Sequence, residues 1–112
     1  MARKEGVLLG RMTLIRPVVV NVKFDPCDVY IGRDMPRYGL RDCGLGNPFK
    51  LIHGEARGVT LRRYEAWARH NNKVIAWLPK LTGKRLGCWC RPQACHGDVL
   101  VKLWDEWAAW QV

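Results

Sequence analysis

The chain has 112 residues, 48% of them hydrophobic, and 19 Lys and Arg against 10 Asp and Glu give it a formal charge of +9. That length suits one domain around one core, and the composition excludes a disordered chain. Arg11 and Arg16 interrupt the first apolar run and no stretch approaches the ~20 apolar residues of a membrane span, so neither a signal peptide nor a membrane helix is expected and the reading is cytoplasmic.

Residues 1–17 read as an N-terminal extension that could add an edge strand, and residues 18–112 as a single α/β domain. "RPVVVNVKF" predicts a buried strand, because a β-branched run follows Pro17. "DVYIGR" predicts a second strand stopped by Gly32. Residues 33–57 hold four glycines and two prolines, so a long irregular segment is expected, ordered by its apolar and aromatic content. "GVTLRRYEAWARH" places Leu61, Tyr64, Trp67 and Ala68 at helical spacing. "NKVIAWLPKL" predicts a shorter helix ending near Pro79, and "GKRLGCW" a short strand. "GDVLVKLWDEWAAW" is the clearest helix: Val99, Leu100, Leu103, Trp104, Trp107 and Trp110 share an arc of roughly 140°. That face reads as core first and as a homodimer contact second. The order predicts a small sheet with covering helices and a Trp-rich C-terminal helix.

The positive charge is concentrated. Residues 51–97 carry nine basic and two acidic groups, whereas residues 98–112 carry one and three. Such a field favours a nucleotide, a nucleic acid or an acidic protein as partner, or serves solubility alone. Beside it lies "LGCWCRPQACHGDVL", with three cysteines, a histidine and an aspartate between Cys88 and Asp98. In a cytosolic chain these are thiols or ligands before disulfides.

Two chemistries compete for this cluster. Cys88, Cys90, Cys95 and His96 form a candidate Cys₃His zinc set. However, cysteines two apart on a regular strand have Cα atoms about 6.7 Å apart, so the strand would have to bend to let them share a metal. Alternatively, Cys95 at a helix start beside Arg91 is a candidate low-pKa nucleophile, His96 a general acid or base, and Asp98 an orienting group or a binder of a sugar hydroxyl. The plainer readings are that Cys88 and Cys90 are small core residues and that Asp98 caps a helix. Arg33, just past a strand end, is a candidate clamp for carboxylate or phosphate. It would share a rim with the cysteine turn if the two strands run parallel. In "CGLGNPF", Asn47 is a candidate reader of a base edge or ribose, and Phe49 an anchor or stacking group.

The same segments resemble a family catalogued as domain of unknown function 4326, found in bacteria, archaea and their viruses. The matching stretches are Val19-Val20-Asn21-Val22, Asp28 to Arg33, Asn47-Pro48-Phe49, and Leu81 through Leu100 with its C-W-C-x-P-x-x-C-H-G-D core. The resemblance covers roughly residues 18–103 and implies that these segments work together, but not on what, since the family's activity is unsettled. Leu45 stands where the pattern suggests an aromatic, which would alter a pocket wall. The short basic chain looks similar to phage-borne members. Residues and resemblance together lead to an anion pocket in which Arg33, Asn47, Cys88 and Cys90 bind and Cys95, His96 and Asp98 react, as in hydrolysis or group transfer on a nucleotide. The rival is a non-enzymatic module that binds nucleic acid or a host protein, with its Cys/His turn structural or zinc-bound.

Overall fold

The computed structural model describes residues 6–9, 12–50 and 54–111. Five strands are β1 (Gly6–Leu9), β2 (Met12–Ile15), β3 (Val18–Asn21), β4 (Val29–Tyr30) and β5 (Arg85–Cys88). Three helices are α1 (Arg57–Arg69), α2 (Asn72–Trp77) and α3 (His96–Ala109). Short 3₁₀ turns occupy Pro36–Tyr38 and Leu78–Leu81. The fold is a small α/β domain with a three-stranded parallel sheet, as its element order predicts.

The sheet runs β3-β5-β4, so the last strand in sequence is the central one. Val18 faces Arg85 and Asn21 faces Cys88, while Tyr30 faces Gly87. Backbone bonds carry the pairing beyond the strand ends, from Val22 N–H to the Cys88 carbonyl (2.9 Å) and from Ile31 N–H to the Gly87 carbonyl (2.9 Å). A central parallel strand is covered on both faces. Leu86, Gly87 and Cys88 are accordingly all buried. The predicted edge strand takes another form: β1 and β2 pair antiparallel in a separate hairpin. A bond from Gly83 N–H to the Ile15 carbonyl (2.7 Å) and the Arg16–Asp105 ion pair (2.7 Å) attach its end to the domain.

The helices follow their apolar spacing. Thr60, Tyr64 and Ala68 are buried along α1, whereas Leu61 and Trp67 are half-buried. Asn71 caps α2, its Oδ1 accepting from the backbone of Lys73 and Val74. On α3 the core takes Val99, Leu100, Leu103, Trp104 and Ala108. Trp104 is fully buried and donates its indole N–H to Thr82 Oγ1 at 2.9 Å. The predicted arc is narrower than expected at its end: Trp107 is half-buried and Trp110 is 86% exposed. Arg69 bridges Glu65 and Glu106 and so ties α1 to α3.

The irregular segment after β4 is ordered mainly by side chains that bind its backbone. Asp42 Oδ1 accepts from the amides of Gly44 and Gly46 at 2.8 and 3.0 Å. The Tyr64 hydroxyl donates to the Leu45 carbonyl at 2.7 Å, and the Trp77 indole to the Cys43 carbonyl at 3.3 Å. Leu45 itself is fully buried in the core and does not line the cleft described below, so it is not the pocket wall its position in the motif suggests. Residues 51–53 of the expected loop lie outside the described residues. Among the described residues no helix is long and apolar enough to cross a membrane.

Candidate functional site

Because β4 and β5 run parallel, their C-terminal ends lie on one rim, the edge where open α/β sheets gather ligands. A cleft of about 320 Å³ opens there. One wall comes from the end of β4, with Tyr30, Arg33 and Met35, and the next from Asn47 and Phe49. Arg57, Thr60 and Leu61 of α1 form the opposite wall. Cys88, Trp89, Cys90, Cys95 and His96 close the base. Thus Arg33, Asn47, all three cysteines of the turn and His96 meet around one cavity, and Asp98 does not.

The turn converges because β5 stops at Cys88. Asn21, buried at the end of β3, donates from Nδ2 to the carbonyls of Trp89 (3.3 Å) and Arg91 (2.7 Å) and pulls the chain out of strand geometry. Cys88, Trp89 and Cys90 therefore all front the cleft, in place of the alternation that a continuing strand would impose. Cys88 and Cys95 lie Sγ to Sγ at 3.5 Å, both buried, and the Arg57 guanidinium reaches Cys90 Sγ at 3.6 Å.

Cys90 and Cys95 are pushed in opposite directions, and the charged form is favoured at Cys90. Hydrogen bonds from Cys88 and Cys95, helped by Arg57, hold the Cys90 thiol far below its ordinary range. Cys95 moves the opposite way: its hydrogen bonding with Cys88 and Cys90 and its burial push its thiol up. This corrects the sequence expectation. The helix start does not make Cys95 the thiolate, and Arg91 does not serve it, because Arg91 pairs with Asp98 at 2.6 Å. Asp98 acts as a cap: its Oδ2 accepts from Cys95 N–H at 3.1 Å, while Cys95 Sγ accepts from the Asp98 amide.

His96 is buried, edge-on to Tyr64 with ring centroids 5.1 Å apart. Its Nε2 lies 2.6 Å from the Ile31 carbonyl, so Nε2 carries the proton and Nδ1 is left as the acceptor. Burial lowers its pKa and keeps the ring neutral near pH 7. Arg33 donates from Nε to the Asn47 carbonyl at 2.8 Å and from Nη2 to the Phe49 carbonyl at 3.1 Å, so these two donors hold the cleft wall and not the carboxylate or phosphate that Arg33 was expected to clamp. Asn47 Oδ1 accepts from Phe49 N–H at 2.9 Å, and Phe49 packs edge-on against Trp67. Among the described residues no group of three or more His, Cys, Asp and Glu is arranged to hold a metal ion.

Sequence reasoning assigned no site role to several residues of the cleft, among them Tyr30, Arg57, Thr60 and Trp89. The Trp89 indole donates to the Tyr30 hydroxyl at 2.8 Å, which donates in turn to the Arg33 carbonyl at 2.7 Å. Thr60 is 5% exposed, lines the cleft, and its Oγ1 has no hydrogen-bond partner among the described residues. A threonine on the inward face of a helix carries no sequence signal for this. Asn21 did carry one, as a polar residue closing an apolar strand run.

A 28-residue stretch, covering 25% of this chain, is 50% identical to an "Uncharacterized 12.4 kDa protein in nrdA-td intergenic region" of Enterobacteria phage T4. The chain thus spans about a quarter, 26%, of that relative's length. No solved structure matches. A family profile matches residues 20–106, which take in the sheet, the cleft and most of α3, and the chain therefore belongs to the family described as Domain of unknown function (DUF4326).

Proposed function

We propose that the cleft binds a nucleotide-like anion and that Cys90 is its reactive group. The observation that carries this reading is the convergence of Arg57, Cys90 and His96 on one cleft at the C-terminal rim of the sheet, with the Arg57 guanidinium 3.6 Å from Cys90 Sγ. A volume of about 320 Å³ is at the small end of the range for ligand sites and suits a single nucleotide. The walls supply what such a ligand needs: Arg33 and Arg57 for an anionic group, and Tyr30, Phe49 and Trp89 for a flat ring.

The chemistry that fits is hydrolysis or group transfer. The Cys90 sulfur attacks the electrophilic centre of the bound ligand, and the leaving group departs with its bonding electron pair. Water or a second acceptor then cleaves the new bond to sulfur and restores the thiolate. Nδ1 of His96 is the neutral base in the same cleft that can take the proton from that water.

Thermal denaturation with nucleoside mono-, di- and triphosphates tests the reading. A ligand at about 100 times its Kd adds about 2.7 kcal/mol to stability and raises Tm visibly. The rise is expected in wild type and absent in Arg57→Ala. Nucleotides are also expected to protect Cys90 from alkylation. If no nucleotide moves Tm or protects Cys90, the reading is wrong.

A further inference from the structure

We infer that the ligand is one nucleotide of a single-stranded nucleic acid, and that the strand leaves the cleft across the exposed face of Tyr38. The inference rests on the nucleotide-cleft reading above and names its substrate class. Trp89 lines the cleft, and on it leans Tyr38, ring centroids 5.4 Å apart and tilted by 51°. Tyr38 is 56% exposed, so an aromatic step continues from the cleft wall onto the surface.

The step is held firmly for a surface feature. Trp89 is fixed through its bond to Tyr30. Tyr38 ends the Pro36–Tyr38 turn, which is closed by Met35 pairing with Leu40 and by Gly39, whose φ of 68° is the left-handed conformation that glycine accepts. An aromatic presented this way is costly to leave in water and cheap to stack on, because little side-chain freedom remains to be lost.

The charge around it matches a phosphate backbone. Arg37 and Arg41 flank Tyr38, both are exposed, and neither makes an ion pair among the described residues. The nearby carboxylates are turned to the loop's own backbone: Asp34 accepts from the Asp42 amide, and Asp42 from Gly44 and Gly46. Base stacking beside unpaired arginines is how single strands are held without sequence preference. A single strand is favoured over a duplex, whose bases must first be unpaired and unstacked before one can enter the cleft or lie on Tyr38.

Fluorescence anisotropy with a labelled oligothymidylate single strand, the same strand in a duplex, and unlabelled thymidine monophosphate as competitor tests this. The single strand is expected to bind more tightly than either the duplex or the mononucleotide. Tyr38→Ala is expected to weaken the strand by roughly 5- to 100-fold, the range of one missing base stack. The same change should leave competition by the mononucleotide intact, and Tyr38→Phe should restore binding. Arg37→Ala with Arg41→Ala should flatten the dependence of log K on log salt by about 0.7 for each phosphate that the variant no longer neutralises. If the mononucleotide binds and Arg57→Ala abolishes it, but the strand binds no better or ignores Tyr38→Ala, the strand path is overturned and the cleft reading stands. If Arg57→Ala changes the binding of neither probe, the cleft reading falls and the strand path with it.

Discussion

Replacing Arg57 by alanine isolates the contribution of α1 to the acidity of the Cys90 thiol. Arg57 Nη1 lies 3.6 Å from Cys90 Sγ. Both groups reach solvent, so the water-like limit of the Coulomb energy applies, about 1 kcal/mol at this separation. That energy corresponds to a pKa rise of about 0.8 unit for Cys90. The two thiol donors remain, so Cys90 is still expected to titrate below an ordinary thiol in the variant. The assay is brief alkylation with iodoacetamide from about pH 1 to about pH 9, with the modified cysteine assigned by peptide mass spectrometry. Cys90 should react first at every pH, and the midpoint of its profile should move up by about one unit in Arg57→Ala and by less in Arg57→Lys. Superimposed profiles would refute the electrostatic role of Arg57. Preferential labelling of Cys95 would refute the assignment of the thiolate to Cys90.

Three further outcomes follow from the same geometry. A Cβ on Gly97 would lie 2.8 Å from Val19 Cγ2 and 3.0 Å from Ile31 Cδ1, so Gly97→Ala should force α3 off the sheet and cost about 1–3 kcal/mol, read as a lowered Tm. Asp98→Ala removes half of a capping box and should cost about 1 kcal/mol in stability, read as a lowered Tm, while leaving the Cys90 alkylation profile unchanged; a large loss of Cys90 reactivity would restore a chemical role to Asp98. Burial depresses the His96 pKa, so below about pH 6.5 the unfolded chain takes up a proton that the folded ring refuses. The stability from keeping His96 neutral is therefore complete above the unfolded value and declines as pH falls. His96→Gln should flatten that part of the Tm-against-pH curve, and an unaltered slope in the variant would show that other groups carry it.

The elements were largely legible in the chain because each announces itself locally. The period of α3 identified Val99, Leu100, Leu103 and Trp104 as core, and the β-branched run identified β3. The juxtaposition of Arg33 with the cysteine turn was legible too, since parallel strands place their C-terminal ends on one rim. What misled was also local. A thiol at a helix start looks like the activated one when its neighbours are unseen, yet it is the Cys90 thiol that is lowered, by hydrogen bonds from Cys88, Cys95 and Arg57. Asp98 looked chemical beside His96, but it faces the helix end and Arg91.

The sequence by itself determined which residue types are available, where the helices and strands begin, and that a basic α/β domain carries a cluster of thiols near a strand end. Only the tertiary structure decided which thiol carries charge, that Thr60 is buried without a partner, and that Tyr38 extends the aromatic wall beyond the cleft. The physical reason is range. Hydrogen-bond periodicity and chain stiffness act over a few residues and leave a pattern in the sequence. Burial and Coulomb interactions depend on neighbours such as Arg57 and Cys90, which are 33 positions apart in the chain and 3.6 Å apart in space.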